Sequence, residues 1–316
     1  MIKTSWRTLA LGAALALAAG AAHAQEGASE RVAYKSAKAG SSYYQMGVQL
    51  AEALADGDIE LTIEESQGSV QNVSEAAVRP GLYVFTSPPG LVASAAAGTG
   101  PFEERPNPRY AEIRALFPIP SLTMHVVTRE EANVETFDDL KGKTILLGSG
   151  SFGATEGAKY LDLFGVADDV EIADAELSNA VDALKNGRID GFVTAGSFPA
   201  PNVIEAAAST GVSVLSMTDE QVAETGRTRL VIPAGTYAGQ DEDVVTTSLP
   251  VVAFTTTAMS DETAYDLTRS YWEAKDALGG TAAWWNGVTP DMIGEVSTGV
   301  HPGAARYYEE VGVSVE

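Results

Sequence analysis

Short apolar runs that end in loops of glycine and hydroxyl residues recur along this chain, and this pattern constrains the fold most. The first run, residues 31–34, leads into Gly-Ser-Ser-Tyr-Tyr-Gln-Met-Gly at residues 40–47. Met46, Leu50 and Leu54 then follow at the spacing of one helical face, and the helix is expected to end at Gly57. The sequence thus predicts a strand, a loop and a helix in succession.

The start of this helix is a candidate anion site. Ser42 is followed three residues later by Gln45, the spacing of a capping box, which predicts Ser42 as the N-cap. Backbone N–H groups at a helix start have no partner within the helix and lie at its positive end, where an anion fits. A capped helix with nothing bound is the commoner arrangement, so this motif alone does not establish an anion site, and the rest of the sequence has to be considered.

Four later segments repeat the arrangement. Strand-like residues 59–64 precede a Gly-Ser turn at 66–72, and residues 82–85 run into the Thr-Ser-Pro-Pro-Gly loop at 86–90. Residues 143–147 precede the glycine-rich loop 148–153, and residues 189–193 precede 194–201. Alternating strands and helices predict open α/β sheets with mostly parallel strands, whose carboxyl ends are the usual place for ligands.

Two proline- or glycine-rich passages, at residues 118–120 and 239–248, are interpreted as crossovers between two domains. Domain I is predicted to comprise residues 25–118 and 249–316, and domain II residues 119–248. The fold class is therefore α/β, with two open α/β domains joined by a two-crossover hinge. Aromatic residues near the carboxyl terminus, Trp284, Trp285, Tyr307 and Tyr308, are expected to clamp the domains together.

The amino-terminal residues have the order of an export signal. A basic start precedes an apolar stretch at residues 8–22 and an Ala-His-Ala sequence, which predicts a leader of residues 1–24 that is cleaved after Ala24. The chain has no cysteine, which is compatible with a bacterial periplasm. A formal net charge of −23 argues against nucleic-acid binding, because phosphate contacts need a basic surface.

Catalytic motifs are scarce. Outside the leader the histidines are His125 and His301, and neither stands in a recognisable nucleophile or metal motif. Gly148-x-Gly150-x-x-Gly153 formally fits a dinucleotide fingerprint, so a periplasmic enzyme acting on a small carboxylate or nucleotide-like ligand stays open as the alternative. Fixed donors without a nucleophile favour a binding protein.

Several motifs resemble those of the TAXI family, the solute-binding proteins of TRAP transporters. Residues 40–47 are similar to its GGTYYPLG motif, 67–72 to TGGSVEN, 140–143 to DLKGK and 186–190 to DGRID. Residues 232–241 are similar to IPAGTYPGQD and 301–308 to HPGAARYY. The chain departs at residues 150–156, where the family has PGSGTE, and at Gln45, where it has proline.

The resemblance implies a type II periplasmic-binding-protein fold. The sequence predicts no cofactor and no metal-ligating residues, leaves open whether a metal ion accompanies the ligand, and is expected to give a monomer. The resemblance also implies a small carboxylate as ligand, either glutamate-like or a dicarboxylate, and a fused TRAP membrane permease as partner. The positions that match the family's ligand contacts are Ser41, Ser42, Tyr43, Tyr44, Ser69, Asn72, Ser87, Gly153, Ala154, Thr155, Gly196, Phe198, Pro199 and Tyr237, the last as an aromatic lid. Tyr43 and Tyr44 point about 100° apart on a helix, so one of them is expected in the core.

Overall fold

The computed structural model describes residues 30–149 and 151–315, and the predicted leader lies outside them. The strands are β1 (Glu30–Lys35), β2 (Ile59–Glu64), β3 (Tyr83–Ser87), β4 (Ile113–Arg129), β5 (Thr144–Leu146), β6 (Glu171–Ala173), β7 (Gly191–Gly196), β8 (Val212–Val214), β9 (Thr228–Ile232) and β10 (Val244–Thr256). The helices are α1 (Ser42–Ala53), α2 (Ser69–Ala76), α3 (Pro89–Ala97), α4 (Phe152–Leu163), α5 (Ala180–Lys185), α6 (Pro201–Thr210), α7 (Asp219–Thr225), α8 (Asp261–Glu273), α9 (Lys275–Thr281) and α10 (Pro302–Glu310).

The strands form one mixed sheet in the order β2-β1-β3-β10-β4-β7-β5-β6, with β8 beside β4 and β9 beside β10. Parallel pairing occurs in two groups, β2-β1-β3 and β6-β5-β7. Strands β4 and β10 run antiparallel to each other and to their other neighbours. The sheet is therefore less parallel than predicted, because two long antiparallel strands occupy its middle.

These two long strands connect the halves of the molecule. We call the part built on β1, β2 and β3 the first half and the part built on β5, β6 and β7 the second half. The predicted crossover at residues 118–120 lies inside β4, where Pro118 pairs with Val252 and Ile119 with Val251. One extra residue of β4 is accommodated between the pairs Ile119–Val251 and Leu122–Leu249, which makes a bulge at the passage between the halves.

The second predicted crossover also lies largely within a strand. Residues 244–248 already belong to β10, where they pair with β9. Residues 239–243 lie between β9 and β10 in the second half. The passages between the halves are thus extended strand rather than loop. Their nearly continuous apolar sequences suit strands that are buried on both faces.

The carboxyl-terminal aromatic residues pack on the first half. Trp285 is fully buried and donates its indole N–H to Gln49 of α1 at 2.8 Å. Tyr308 is also fully buried and donates its hydroxyl to the Leu116 carbonyl at 3.2 Å. The expectation that this tail clamps the two halves together is therefore not supported by these contacts, since both acceptors belong to the first half.

Several helices were not predicted. Helix α3 starts at Pro89, inside a segment interpreted as loop, because proline is well tolerated in the first helical turn and an alanine-rich stretch follows it. The carboxyl-terminal segment after β10 forms two successive helices, α8 and α9, which are divided at Ala274. No helix among residues 30–149 and 151–315 is long and apolar enough to cross a membrane.

Candidate functional site

A cavity of about 420 Å³ lies between the two halves, a size typical of sites for small molecules. Its first-half wall comes mainly from residues 36–43 and 67–69, and its second-half wall from residues 148, 149, 151–153, 176–178, 194–196 and 200–202. These segments include the starts of α1 and α2 on one side and of α4 and α6 on the other. The cavity therefore lies where four helix N-termini converge.

The start of α1 supplies two serine hydroxyls with different partners. Ser41, not Ser42, is the N-cap: its Oγ accepts the N–H of Tyr44 at 3.2 Å. The predicted capping box was wrong, because the helix already begins at Ser42, one residue earlier than it would if Ser42 were its N-cap. The Ser42 Oγ accepts the backbone N–H of Ser197 at 3.1 Å, which joins the two halves.

A glycine opposite Ser42 makes this approach possible. A Cβ atom at Gly196 would lie 2.6 Å from the Ser42 Oγ, closer than real contacts allow. Tyr43, next along α1, is buried and donates its hydroxyl to the Pro120 carbonyl at 3.0 Å. The start of α1 is thus bound to the strand β4 and to the loop after β7.

The start of α2 leaves its first backbone donors without a side-chain cap. Gly68 is the N-cap, with φ +122°, a conformation that favours glycine, and it has no side chain to cap the first helical turn. The N–H of Gly68 itself is accepted by the Ser66 Oγ at 3.1 Å. Behind it, the Asn72 amide donates to the carbonyls of Ser36 at 2.6 Å and Thr86 at 2.9 Å. Asn72 therefore holds the carboxyl ends of β1 and β3 together beneath the cavity.

The start of α4 mirrors that of α1. Ser151 is the N-cap, and its Oγ accepts the N–H of Ala154 at 2.9 Å. One turn further on, the buried Glu156 carboxylate accepts two hydrogen bonds from the Arg227 guanidinium, at 2.6 and 3.0 Å. This ion pair fixes α4 to the segment between α7 and β9.

The start of α6 is held by a buried network around Tyr237. The Tyr237 hydroxyl accepts the N–H of Ala200 at 2.9 Å and lies 2.8 Å from His125 Nε2. Burial lowers the pKa of His125 to about 4, so the ring is neutral at neutral pH. Because His125 Nδ1 lies 3.1 Å from the Thr123 carbonyl, which can only accept, Nδ1 carries the hydrogen and Nε2 accepts from Tyr237.

Six of the residues predicted from the sequence lie on the cavity wall: Ser41, Ser42, Tyr43, Ser69, Gly153 and Gly196. The others lie off it: Tyr44, Asn72, Ser87, Ala154, Thr155, Phe198, Pro199 and Tyr237. Thr86 lines the cavity in place of Ser87, because successive side chains of a strand face opposite sides. Tyr237 is 3% exposed, so in this arrangement it is part of the core beneath α6 and not a lid.

Most charged residues on the wall could not be singled out from the sequence; the exception is Lys38, a candidate partner for a carboxylate because it stands next to the first loop. Lys38 stands before α1, and Glu176, Asp182 and Glu205 come from the second half. The Lys38 ammonium donates to the Glu176 carboxylate across the cavity. That hydrogen bond holds the pKa of Glu176 below its ordinary value. Their sequence contexts are ordinary surface loops and helices, so only the fold brings them together.

Ser151 could have been found, since a serine directly before an apolar helical run is an N-cap signal. Residues of the loop around it, Ser149 and Phe152, also face the cavity. Within residues 30–149 and 151–315, no three His, Asp or Glu side chains are grouped closely enough to hold a metal ion.

Comparison with solved structures shows which known proteins have a similar fold. The periplasmic binding protein BugD superposes with a TM-score of 0.57 at 13% identity, over 90% of this chain and 99% of that one. MatC from Rhodopseudomonas palustris, solved with bound malate, superposes with a TM-score of 0.55 at 13% identity, over 90% of this chain and 98% of that one. The mixed α/β fold is thus that of periplasmic binding proteins, which confirms the predicted fold class.

The family comparison covers most of the sequence. A model of the NMT1-like family matches residues 35–312, a range that includes every strand and helix after β1 and all segments of the cavity wall. The match therefore spans both halves of the molecule, and the chain belongs to the NMT1-like family.

Proposed function

We propose that this protein is an extracytoplasmic solute-binding protein that captures a small organic acid or amino acid between its halves. The observation that carries the proposal is the convergence of four helix N-termini, two from each half, on one cavity of about 420 Å³. Unpartnered N–H groups and the positive ends of helices favour a carboxylate. The chain's excess of negative charge is screened beyond roughly 8 Å at physiological salt, so these local donors decide binding.

The further details are proposals that rest on the sequence motifs. The resemblance to TAXI proteins supports delivery of the ligand to a TRAP permease, and the leader-like residues 1–24 support export to the periplasm. The bound malate of MatC, a protein of the same fold, is in keeping with a small acid as ligand.

We propose a hinge at the strand bulge near Pro120. It lies next to the boundary between the predicted domain I, residues 25–118 and 249–316, and the predicted domain II, residues 119–248. Closure about this hinge would let one ligand use donors from both walls. Ser42 is central to this idea, because its Oγ accepts the N–H of Ser197 and a serine hydroxyl can also donate its own hydrogen to an acceptor such as a ligand carboxylate.

Thermal unfolding tests the function directly. We expect at least one of malate, glutamate, lactate and glutamine, added at millimolar concentration, to raise Tm, because a ligand that binds only the folded state stabilises it. The alternative, an enzyme that uses the loop at residues 148–153, predicts that NAD raises Tm and these acids do not.

The site assignment is tested with Ser42→Ala and a control, Ser94→Ala on α3, which is not part of the cavity wall. Ser42→Ala should weaken binding of the acid that raises Tm by roughly 10- to 150-fold, the usual cost of a lost hydrogen bond to a charged group. Ser94→Ala should leave the affinity unchanged. Equal affinities for both variants and the native protein would show that the acid binds elsewhere.

A further inference from the structure

The charged side chains on the cavity wall are unequal in sign. Among the residues that the structure describes there, Lys38 is the only base, and the acids are Glu176, Asp182 and Glu205. Glu65 lines a second pocket that shares Lys38 and Ala39 with the cavity, and its carboxylate accepts the N–H of Ala39 at 2.6 Å. The wall therefore carries a net negative charge even though its helix starts favour an anion.

The one base on the wall is already committed. The Lys38 ammonium is bound to Glu176 from the opposite half. The adjacent base in the sequence, Lys35, lies off the wall with its ammonium 2.7 Å from a Glu75 carboxylate oxygen. Neither lysine offers a free positive charge to a ligand.

The remaining donors suit a single carboxylate. They are the hydroxyls and first backbone N–H groups around Ser42, Ser69 and Ser151, which are fixed and neutral. Each helix end contributes a partial positive charge of roughly half an elementary charge. Asp182 and Glu205 are exposed, so they lie where the wall meets solvent, and a second carboxylate extending in their direction would meet negative charge.

We propose that this cavity selects ligands with a single carboxylate over dicarboxylates of the same shape, a specificity set by the Lys38–Glu176 pair and the neighbouring acids. The inference rests on the proposed function and narrows its ligand class. The rest of the ligand is neutral or carries an amino group, for which Asp182 and Glu205 are suitable partners. Like charges a few ångströms apart near a protein surface produce a discrimination of about tenfold or more.

The test uses pairs of compounds that differ in one charge: succinate and succinamate, glutamate and glutamine, and malate and its 4-amide. Titration calorimetry on the native protein should show the amide of at least one pair binding about tenfold more tightly than its diacid. Glu176→Gln removes one negative charge and frees Lys38, so it should shrink or reverse that preference. Glu104→Gln, an equal change of charge on an exposed residue away from the wall, should leave the preference as it is.

The possible results separate the two proposals. Tighter binding of the diacid in each pair by the native protein would overturn the charge-selection inference and leave the solute-binding function standing. A preference for the amide that Glu176→Gln does not change would also overturn it, since the pair would then not set the specificity. If none of the six compounds binds and lactate does not raise Tm either, the solute-binding proposal itself fails, and this inference with it.

Discussion

The two walls of the cavity are built from similar parts that are anchored differently. Each wall presents a serine-capped helix, α1 or α4, and each half has one carboxylate behind its wall, half-buried for Glu75 and fully buried for Glu156. In the first half, Glu75 has two basic neighbours: Lys35 at 2.7 Å and Arg79 at 3.4 Å. In the second half, Glu156 depends on Arg227 alone among the ion pairs of the described residues.

The number of partners around each carboxylate determines how well its wall tolerates substitution. Burial by itself would raise the pKa of the Glu75 carboxyl, but the Lys35 ammonium and the Gln71 amide lower it below its usual value, so Glu75 stays ionised. A carboxylate with several partners tolerates the loss of one. A carboxylate with a single bidentate partner is left as an unpaired buried charge when that partner is removed.

The largest expected effect is on Arg227. Arg227→Met should lower the free energy of unfolding by about 3 kcal/mol, because Glu156 then keeps its burial and loses both hydrogen bonds. Lys35→Met should cost about 1–2 kcal/mol, since Arg79 still faces Glu75. Urea unfolding of the native protein and both variants measures the two losses of unfolding free energy. If Lys35→Met costs as much as Arg227→Met or more, the number of basic partners does not explain how the two carboxylates are stabilised.

The next effect concerns acid stability, and it too belongs to the second half. His125 has a pKa of about 4 in the folded protein and about 6.5 unfolded, so between these values the unfolded state binds more protons. Stability should therefore fall as pH drops, by about 2 kcal/mol between pH 7.5 and pH 5.

The His125 contribution is isolated by a variant. His301 also has a lowered pKa through burial and contributes in the same direction, so the native protein alone does not separate the two. Urea unfolding of His125→Gln should lack the part of the pH dependence described above. An unchanged pH dependence would show that the His125 ring is protonated in the folded protein at pH 5.

The two helix caps should behave alike. Ser41→Ala and Ser151→Ala each remove a side-chain acceptor from the first turn of a 12-residue helix, and each should cost about 1 kcal/mol. Thermal unfolding compares them, with Ser94→Ala as the control that changes a serine off the cavity wall. A large inequality between the two caps would mean that the walls differ in more than the anchoring of their carboxylates.

The smallest expected effect is at the ion pair that joins the walls. The Lys38 and Glu176 side chains are 31% and 56% exposed, so solvent screens the pair. In a double-mutant cycle of Lys38→Met and Glu176→Gln the coupling should be at most about 0.5 kcal/mol and should decline at high salt. A coupling above about 2 kcal/mol would show that this pair, and not the strand passage, holds the halves together.

The sequence predicted the succession of strands, loops and helices better than the way in which the strands pair in the sheet. Strands ending in glycine and serine loops, followed by helices, were readable because apolar periodicity and capping residues are local signals. The residue that caps α1 was misplaced by one, since Ser41 and Ser42 both satisfy the chemistry and only the backbone decides. Residues 118–120 and 239–248 were interpreted as crossovers from their prolines and glycines, but tertiary pairing places residues 118–120 inside β4 and residues 244–248 inside β10.

Some residues of the candidate site could likewise be predicted from local motifs, whereas others come together only in the folded structure. Ser41, Ser42, Tyr43, Ser69, Gly153 and Gly196 follow from motifs at strand ends, and the structure brings them to one cavity. Lys38 and Glu176 are 138 residues apart, and no local pattern relates them. Tyr237 lies in a distinctive glycine-rich motif, but its burial beside His125 depends on how β4 and the α6 start pack.

The most direct test of the account is mass spectrometry of the small molecules released when the purified protein is denatured. The account predicts a small carboxylic acid that fits a cavity of about 420 Å³, recovered in smaller amount from Ser42→Ala than from Ser94→Ala. Release of a nicotinamide dinucleotide, or of a carboxylic acid in amounts that Ser42→Ala does not reduce, would contradict it.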